Sequence, residues 1–149
     1  MLRVGDRAPD FRGLDQNGDD IVLAALLADG PVVLYFYPKD FTAVCTKEAC
    51  LFRDAHERLV SKHARVVGIS VDDDATHRRF AAKHTLPYSL VADPGRRIAS
   101  SYGVVALFGL RILRVTYAID REQRIRGVFH HELSAQKHLD DVERVLATL

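Results

Sequence analysis

The chain has 149 residues, of which 48% are hydrophobic and 28% are charged, and its 21 lysines and arginines nearly balance its 20 aspartates and glutamates. This length predicts a single domain over residues 1–149, built around one hydrophobic core. The balanced charge predicts no nucleic-acid partner. Every apolar run is well short of the ~20 residues that cross a bilayer, which predicts no membrane partner.

The hydrophobic patterns of the first half predict alternating strands and helices. Residues 10–24 form two extended pieces around Asn17-Gly18, a dipeptide typical of a tight hairpin turn. The β-branched and aromatic run 31–37 predicts a central strand buried on both faces. Small or apolar side chains recur at steps of three and four from Thr42 to Leu59, which predicts a helix. A second strand and a second helix are predicted over 64–72 and 73–84.

The second half predicts a shorter strand over 88–93, a brief helix over 95–103, and a hairpin of two strands over 114–120 and 123–131. The apolar residues of 104–113 show no period, which predicts a loop. An amphipathic helix capped by Ser134 completes the chain. This order predicts an α/β protein of thioredoxin-like fold, with a mixed central sheet flanked by helices and an N-terminal β-hairpin.

The only two cysteines lie in one stretch, PKDFTAVCTKEAC, directly after the first buried strand. Charged residues near the N-terminus, where a secretory signal needs an apolar stretch, predict a cytoplasmic protein. In that reducing compartment two cysteines are more often catalytic, redox-active or simply buried than joined in a structural disulfide. The spacing is C-x4-C and not the C-x-x-C of a thioredoxin-type reductase.

Cys45 lies in the first turn of the predicted helix if Thr42 is its N-cap. Unpaired backbone N–H groups and the positive end of the helix dipole favour an anion there. Cysteines at helix N-termini ionise more readily and become nucleophilic at neutral pH. Cys45 is therefore predicted to be a reactive thiolate at the C-terminal edge of the sheet, where open α/β folds commonly hold their sites.

Cys50 cannot bond to Cys45 while both lie on one helix. Five residues advance the helix by about 7.5 Å and rotate it by about 140°, which separates the two Cα atoms by ~8.7 Å. An unstrained disulfide needs less than ~7 Å. A disulfide between these cysteines therefore requires the first turns of the helix to unwind.

The segment YFYPKDFTAVCTKEAC resembles the active-site segment of the peroxiredoxins, whose pattern P-x-x-x-T-x-x-C is matched by Pro38, Thr42 and Cys45. It is similar in particular to the bacterioferritin comigratory protein, or Q-type, branch of these thiol peroxidases. The segments VGDRAPDF, VVGISVD, ADPGRRIASSYGV and RVTYAID also match, in order. The resemblance covers nearly the whole chain and implies reduction of hydrogen peroxide and organic hydroperoxides.

The resemblance implies a role for each matching residue. Cys45 corresponds to the peroxidatic cysteine, which attacks a peroxide oxygen and becomes a sulfenic acid. Thr42 orients the thiolate and the peroxide, and Pro38 shields them from water. Arg114 corresponds to the arginine that stabilises the thiolate and the developing charge. Glu48 corresponds to the acid that positions this arginine.

Cys50 matches the resolving cysteine, which condenses with the sulfenic acid to a disulfide before further oxidation. A thioredoxin-type dithiol then restores both thiols by exchange. A resolving cysteine on the same chain removes the need for a dimer, so a monomer is expected. The seven histidines show no metal-ligand spacing, and no metal or organic cofactor is implied.

Several alternatives stay open at this stage. Cys50 is also consistent with simple packing in the core, in a one-cysteine peroxidase, and the whole chain with a peroxide sensor or thioredoxin-like binding module that does not turn over. Glu48 is equally consistent with an exposed helical carboxylate that pairs with Arg53. Arg111 lies three residues before Arg114, and only one of them can face the site.

The chain departs from the branch at one point in the motif. Ala43-Val44 stand where the branch commonly has Pro-Gly. This change makes the turn before Cys45 less constrained and more apolar, which puts the substrate preference in doubt.

Overall fold

A computed structural model describes all 149 residues. In chain order, its elements are β1 (Arg12–Leu14), β2 (Asp20–Val22), α1 (Leu23–Leu27), β3 (Val32–Phe36), α2 (Ala43–Asp54), α3 (His56–Ser61), β4 (Arg65–Ser70), α4 (Asp74–His84), β5 (Ser89–Ala92), α5 (Arg97–Ser101), β6 (Val105–Ala106), β7 (Arg111–Ile112), β8 (Val115–Ile119), β9 (Ile125–His130) and α6 (Ala135–Leu146).

A five-stranded sheet in the order β5-β4-β3-β8-β9 forms the centre of the fold. β3, β4 and β5 are parallel, whereas β8 runs antiparallel to β3, and β9 antiparallel to β8. The predicted N-terminal hairpin is present as β1 and β2, with Gly18 at a φ of +79° in its turn. The mixed sheet flanked by helices confirms the predicted α/β, thioredoxin-like fold.

The central strand β3 explains why both faces of the sheet are covered. Its side chains alternate between the two faces, as a pleated strand requires. Val32, Leu34 and Phe36 belong to a cluster of 20 buried residues beneath α1 and α5. Val33 and Tyr35 belong to a second cluster of 18 residues, which also contains Phe52 of α2 and Leu139 of α6.

Three local expectations need correction. The second extended piece predicted up to residue 24 ends at Val22, because Leu23–Leu27 form the short helix α1. The helix predicted to run on to Leu59 is divided at Ala55, whose φ of −86° and ψ of −2° depart from the helical ψ of about −42° and end α2 there. The predicted loop 104–113 contains the short antiparallel pair β6 and β7, whose tip includes Phe108 at a φ of +55°. Strands of two residues are too short to show a hydrophobic period. No helix of the structure is long and apolar enough to span a membrane.

The sheet register brings distant segments to one edge. Because β3, β4 and β5 are parallel, the segments that follow them meet at the C-terminal edge of the sheet. The antiparallel register pairs Phe36 at the end of β3 with Val115 at the start of β8, and pairs Val115 with His130 at the end of β9. The residue before Val115 therefore lies beside the loop that leads from β3 into α2.

Candidate active site

Cys45 lies in the first turn of α2, as the sequence predicts, and only 1% of its surface is exposed. Thr42 is the N-cap residue with extended backbone, and the first bond of the helix runs from the Thr46 N–H to the Thr42 carbonyl at 2.9 Å. The N–H groups of Ala43, Val44 and Cys45 therefore have no acceptor within the helix. These amides and the helix dipole favour negative charge at this turn.

Arg114 provides the cation next to Cys45, although 69 residues separate the two in the chain. Its Nη1 donates to Cys45 Sγ at 3.1 Å and also to Glu48 Oε1 at 3.2 Å. Glu132, just after β9, holds Arg114 in place, because the Arg114 backbone N–H and Nε donate to the side chain and the carbonyl of Glu132. Burial disfavours the guanidinium charge, but Cys45 and Glu48 outweigh this effect and raise the pKa of Arg114. Arg111 instead binds Glu132 at a half-exposed position, so Arg114 is the one that faces Cys45.

Glu48 is fully buried, which excludes the alternative of an exposed carboxylate paired with Arg53. It lies one turn after Cys45 on α2 and accepts a hydrogen bond from Arg114 through Oε1, while Oε2 has no hydrogen-bond partner. Burial raises the pKa of Glu48 to about 8, and the nearby Arg114 only partly opposes this rise. The carboxyl therefore carries a proton for much of the time at neutral pH.

A buried histidine of α6 lies behind Glu48. His138 Nε2 is 2.8 Å from the His131 carbonyl, which can only accept, so this nitrogen carries the proton. The same Nε2 is 3.6 Å from Glu48 Oε2, and Nδ1 accepts from the Thr116 hydroxyl at 2.9 Å when the ring is neutral. Burial lowers the pKa of His138 to about 4, so the ring is neutral at physiological pH. Arg114 and Glu48 are thus supported from β8 and from α6 together.

Thr42 and Pro38 lie in the loop between β3 and α2. The Thr42 side chain is exposed and does not cap the helix, and its hydroxyl donates to the Lys39 carbonyl at 2.8 Å. Its oxygen therefore keeps lone pairs free to accept a hydrogen bond. Pro38 is half-buried at the start of the same loop, and Phe41, just before Thr42, has a φ of +65°, which is strained for a bulky residue.

A buried polar cluster anchors this loop to β4 and α4. His77 Nδ1 is 2.6 Å from Asp40 Oδ2, and both side chains are fully buried. Tyr37 donates to the other Asp40 oxygen at 2.6 Å, and the Asp40 N–H donates to Asp72 at 2.8 Å. Asp72 also accepts from Ser70. These acids and the histidine are close enough to one another to suggest a metal site. Both Asp40 oxygens and Asp72 Oδ2 already take part in hydrogen bonds within the cluster, which indicates a structural anchor, whereas the buried His77 Nε2 has no hydrogen-bond partner.

Cys50 lies on the same uninterrupted helix as Cys45, and both cysteines are free thiols. The two side chains have different surroundings. Cys45 Sγ faces Arg114, whereas the half-buried Cys50 Sγ is 3.8 Å from Nδ1 of His84, the last residue of α4. The structure therefore brings Cys45, Arg114 and Glu48 into direct contact and leaves Cys50 outside that group.

Sequence reasoning missed four parts of this arrangement: Asp40 with His77, Glu132, His138 and His84. Asp40 lies inside the motif itself, so its position was a usable signal. His138 and His84 carry no local signal, because each belongs to a helix whose pattern shows only which face is buried. Their contacts depend on how α4 and α6 pack against α2.

A thioredoxin-like fold that holds a buried cysteine at a helix N-terminus, with an arginine on the sulfur, defines a thiol-based oxidoreductase. Comparisons with known proteins identify the family within this class. The model of the AhpC/TSA family matches residues 4–128. The chain is 42% identical over 146 residues to the chloroplastic peroxiredoxin Q of Arabidopsis thaliana, covering 97% of this chain and 67% of that protein. It is 40% identical over 149 residues to the chloroplastic peroxiredoxin Q of Populus jackii, covering 99% and 70%.

Solved structures agree with these relatives. Peroxidoxin BcpB from Mycobacterium tuberculosis superposes with a TM-score of 0.94 at 36% identity, over 100% of this chain and 99% of that one. Peroxiredoxin Q from Xanthomonas campestris superposes with a TM-score of 0.87 at 26% identity, over 99% and 96%. The chain belongs to the AhpC/TSA family, among the peroxiredoxins of the Q type, and it is a thiol peroxidase.

Proposed function

We propose that this peroxidase reduces hydrogen peroxide and organic hydroperoxides through Cys45, that Cys50 resolves the oxidised sulfur within the same chain, and that a thioredoxin-type dithiol recycles the enzyme. The observation that carries the proposal is the 3.1 Å contact from Arg114 Nη1 to the buried Cys45 Sγ at the N-terminus of α2. A guanidinium and free helix amides together stabilise a thiolate, which is the nucleophile that attacks a peroxide.

The first step transfers one oxygen atom. The Cys45 thiolate attacks the nearer peroxide oxygen, the O–O bond breaks, and the leaving alkoxide takes a proton to depart as an alcohol, or as water from hydrogen peroxide. The products are a Cys45 sulfenic acid and the reduced substrate. Arg114 lies where it can stabilise both the thiolate and the charge that develops on the peroxide oxygens. Glu48 and Glu132 fix the direction of its guanidinium.

Thr42 has a specific role in this proposal. Its only hydroxyl proton is donated to the Lys39 carbonyl, so the oxygen can accept a hydrogen bond from the O–H of a bound hydroperoxide. Pro38, half-buried in the same loop, shields the sulfur from water in this proposal. The buried Asp40–His77 pair holds the loop in position.

Resolution requires a change of shape. Cys45 and Cys50 lie five residues apart on an intact helix, beyond the reach of a disulfide, so the first turns of α2 must unwind before the sulfurs meet. The Cys50 thiol then attacks the sulfenic sulfur, a disulfide forms, and water leaves. A dithiol protein restores both thiols by exchange. Amide hydrogen exchange over residues 43–52 tests this step, because equal protection in oxidised and reduced protein would contradict it.

The expected assembly is a monomer, because both reacting cysteines come from one chain. The cytoplasmic location stays a prediction, and the plant relatives named above are chloroplastic.

A peroxide titration of the wild type, Cys45→Ser and Cys50→Ser tests the proposal. Thiols are counted and intact masses are measured before and after reduction by thioredoxin. We expect the wild type to lose two hydrogens per chain and to recover them, Cys50→Ser to accumulate oxygen on Cys45, and Cys45→Ser to be inert. Peroxide reduction by Cys45→Ser would refute the site.

The same titration separates the alternatives. Turnover of Cys50→Ser at the wild-type rate with thioredoxin would make Cys50 structural and the enzyme a one-cysteine peroxidase. Stoichiometric oxidation of the wild type without turnover, in excess thioredoxin and its reductase, would indicate a sensor or binding module.

A further inference from the structure

The surroundings of Cys50 contain a group that the proposed mechanism does not yet use. His84 ends α4, and its Nδ1 is 3.8 Å from Cys50 Sγ, within hydrogen-bonding distance for sulfur. In the tautomer that carries its proton on Nε2, Nδ1 accepts from the Cys50 S–H across this contact. The ring is held edge-on against Phe80, with the two ring centres 5.0 Å apart.

The contact is anchored from both helices. Arg53 Nη1 donates to the His84 carbonyl at 2.8 Å, which ties the second half of α2 to the end of α4. The buried Tyr88 hydroxyl donates to the Ala49 carbonyl at 2.9 Å, one residue before Cys50. Unwinding of α2 from its N-terminus therefore releases Cys45 first, while Cys50 stays beside His84.

Burial and the charges around His84 favour the neutral form of its ring. Burial lowers the pKa of His84, and the cations Lys83 on α4 and Arg53 on α2 lower it further. Tyr88, whose hydroxyl binds the carbonyl of the residue before Cys50, has a pKa raised by burial and stays uncharged. A neutral imidazole can accept a proton from the thiol at physiological pH, and Arg53 is a cation near the thiolate that results.

We propose that His84 is the general base of the resolution step, taking the proton from Cys50 as its sulfur attacks the Cys45 sulfenic acid. This inference rests on the proposed resolving role of Cys50. The Sγ–H proton moves to His84 Nδ1, the S–S bond forms, and the S–O bond of the sulfenic acid breaks. The departing hydroxide takes that proton and leaves as water. The sulfenic sulfur is reduced and the Cys50 sulfur is oxidised, so no further oxidant or reductant is needed.

The size of the effect follows from thiol chemistry. An ordinary thiol with a pKa of about 8.5 is only about 3% thiolate at pH 7, so a resolving thiol without a base reacts mainly through this small fraction. A base in contact with the thiol removes most of that limit. Loss of the base should therefore slow resolution at pH 7 by about 10- to 30-fold.

The test compares wild type, His84→Asn and His84→Gln with the matched control His63→Asn. His63 is exposed and has a φ of +61°, a conformation that asparagine tolerates well. Each reduced protein receives one equivalent of hydrogen peroxide and is quenched at intervals with an alkylating agent. Its intact mass is then measured by mass spectrometry. The masses give separate rates for sulfenic acid formation and for disulfide formation between pH 6 and pH 8.

We expect both His84 variants to form the sulfenic acid at the wild-type rate and the disulfide about 10- to 30-fold more slowly at pH 7. In these variants the disulfide rate should rise about tenfold per pH unit, whereas the wild-type and His63→Asn profiles stay nearly flat. Wild-type disulfide rates in both His84 variants would overturn the inference. A slower rate with an unchanged flat profile would also overturn it, because it indicates a structural role. Absence of any disulfide in the wild type would overturn the resolving role of Cys50 itself.

Discussion

Replacing Glu48 with glutamine should remove a pH dependence from the stability of the fold. Glu48 is fully buried, and burial raises its pKa from 4.5 to about 8. The folded protein therefore binds a proton that the unfolded chain has released over this range. Stability linked to this group is fully present below pH 4.5 and is lost as the pH rises through 8. The glutamine variant has no such proton and should not lose stability in this way.

The window from pH 6.5 to pH 8 isolates Glu48. His138 has the opposite sign, because its lowered pKa makes the fold lose stability as the pH falls from 6.5 toward 4. Above pH 6.5 the contribution of His138 is small, and His84, whose pKa is also lowered, acts in the same direction; both histidines are present in the control variant and cancel in the comparison. From a pKa of about 8, the free energy of unfolding should fall by about 2 kcal/mol across the window in protein that carries Glu48.

The assay is urea unfolding followed by far-ultraviolet circular dichroism at half-unit pH steps. The background is Cys45→Ser with a reductant present, so that oxidation of this cysteine cannot change the protein during the assay. The control is Glu57→Gln, which makes the same chemical change at an exposed position of α3. The difference in slope between Glu48→Gln and this control should be about 2 kcal/mol over the window. Equal slopes would show that Arg114 keeps Glu48 ionised, which would refute the protonated carboxyl behind the cation.

Three further substitutions test the rest of the site. Arg114→Met should lower kcat/KM for hydrogen peroxide by roughly 100-fold or more, because it removes the hydrogen-bond donor to the Cys45 sulfur. The control Arg111→Met should change kcat/KM only a few-fold. Equal losses in stopped-flow measurements would contradict the assignment of Arg114 as the arginine of the site. Thr42→Val should lower the same constant about tenfold while Thr42→Ser retains it, and equal rates would exclude a role for the hydroxyl. Asp40→Asn should lower the free energy of unfolding by about 3 kcal/mol, because it breaks a buried pair with His77, and a loss below about 1 kcal/mol in urea titrations would argue against that pair as the anchor of the loop.

The residues of the site come partly from the local motif and partly from the packing of distant elements. Cys45, Thr42 and Glu48 are close in sequence and lie on one loop and helix, so their arrangement follows once the helix start is known. Arg114 joins them only through the pairing of β8 with β3. Cys50 is separated from them by the helical rotation. Its contact with His84 of α4 therefore matters as much for the proposed resolution step as its position in the motif.

Local periodicity was enough to predict most elements, because strands and helices differ in the spacing of apolar side chains. The buried run of β3, the start of α2 at Ala43 and the capping of α6 by Ser134 were all readable from adjacent residues. The break at Ala55 and the pair β6 and β7 were not, because they depend on single turns.

The sequence by itself determined the fold class, the place of Cys45 in the first turn of α2 and, through the motif, which residues were candidates for the site. Only the tertiary structure decided that Glu48 is buried against Arg114, that His138 of α6 lies behind it, and that His84 of α4 contacts Cys50. The physical reason is that side-chain burial and charge pairing arise where separate elements pack, over separations such as the 69 residues between Cys45 and Arg114. A local pattern records the face that an element buries, whereas the residue it meets there is set by the sheet order and the docking of the helices.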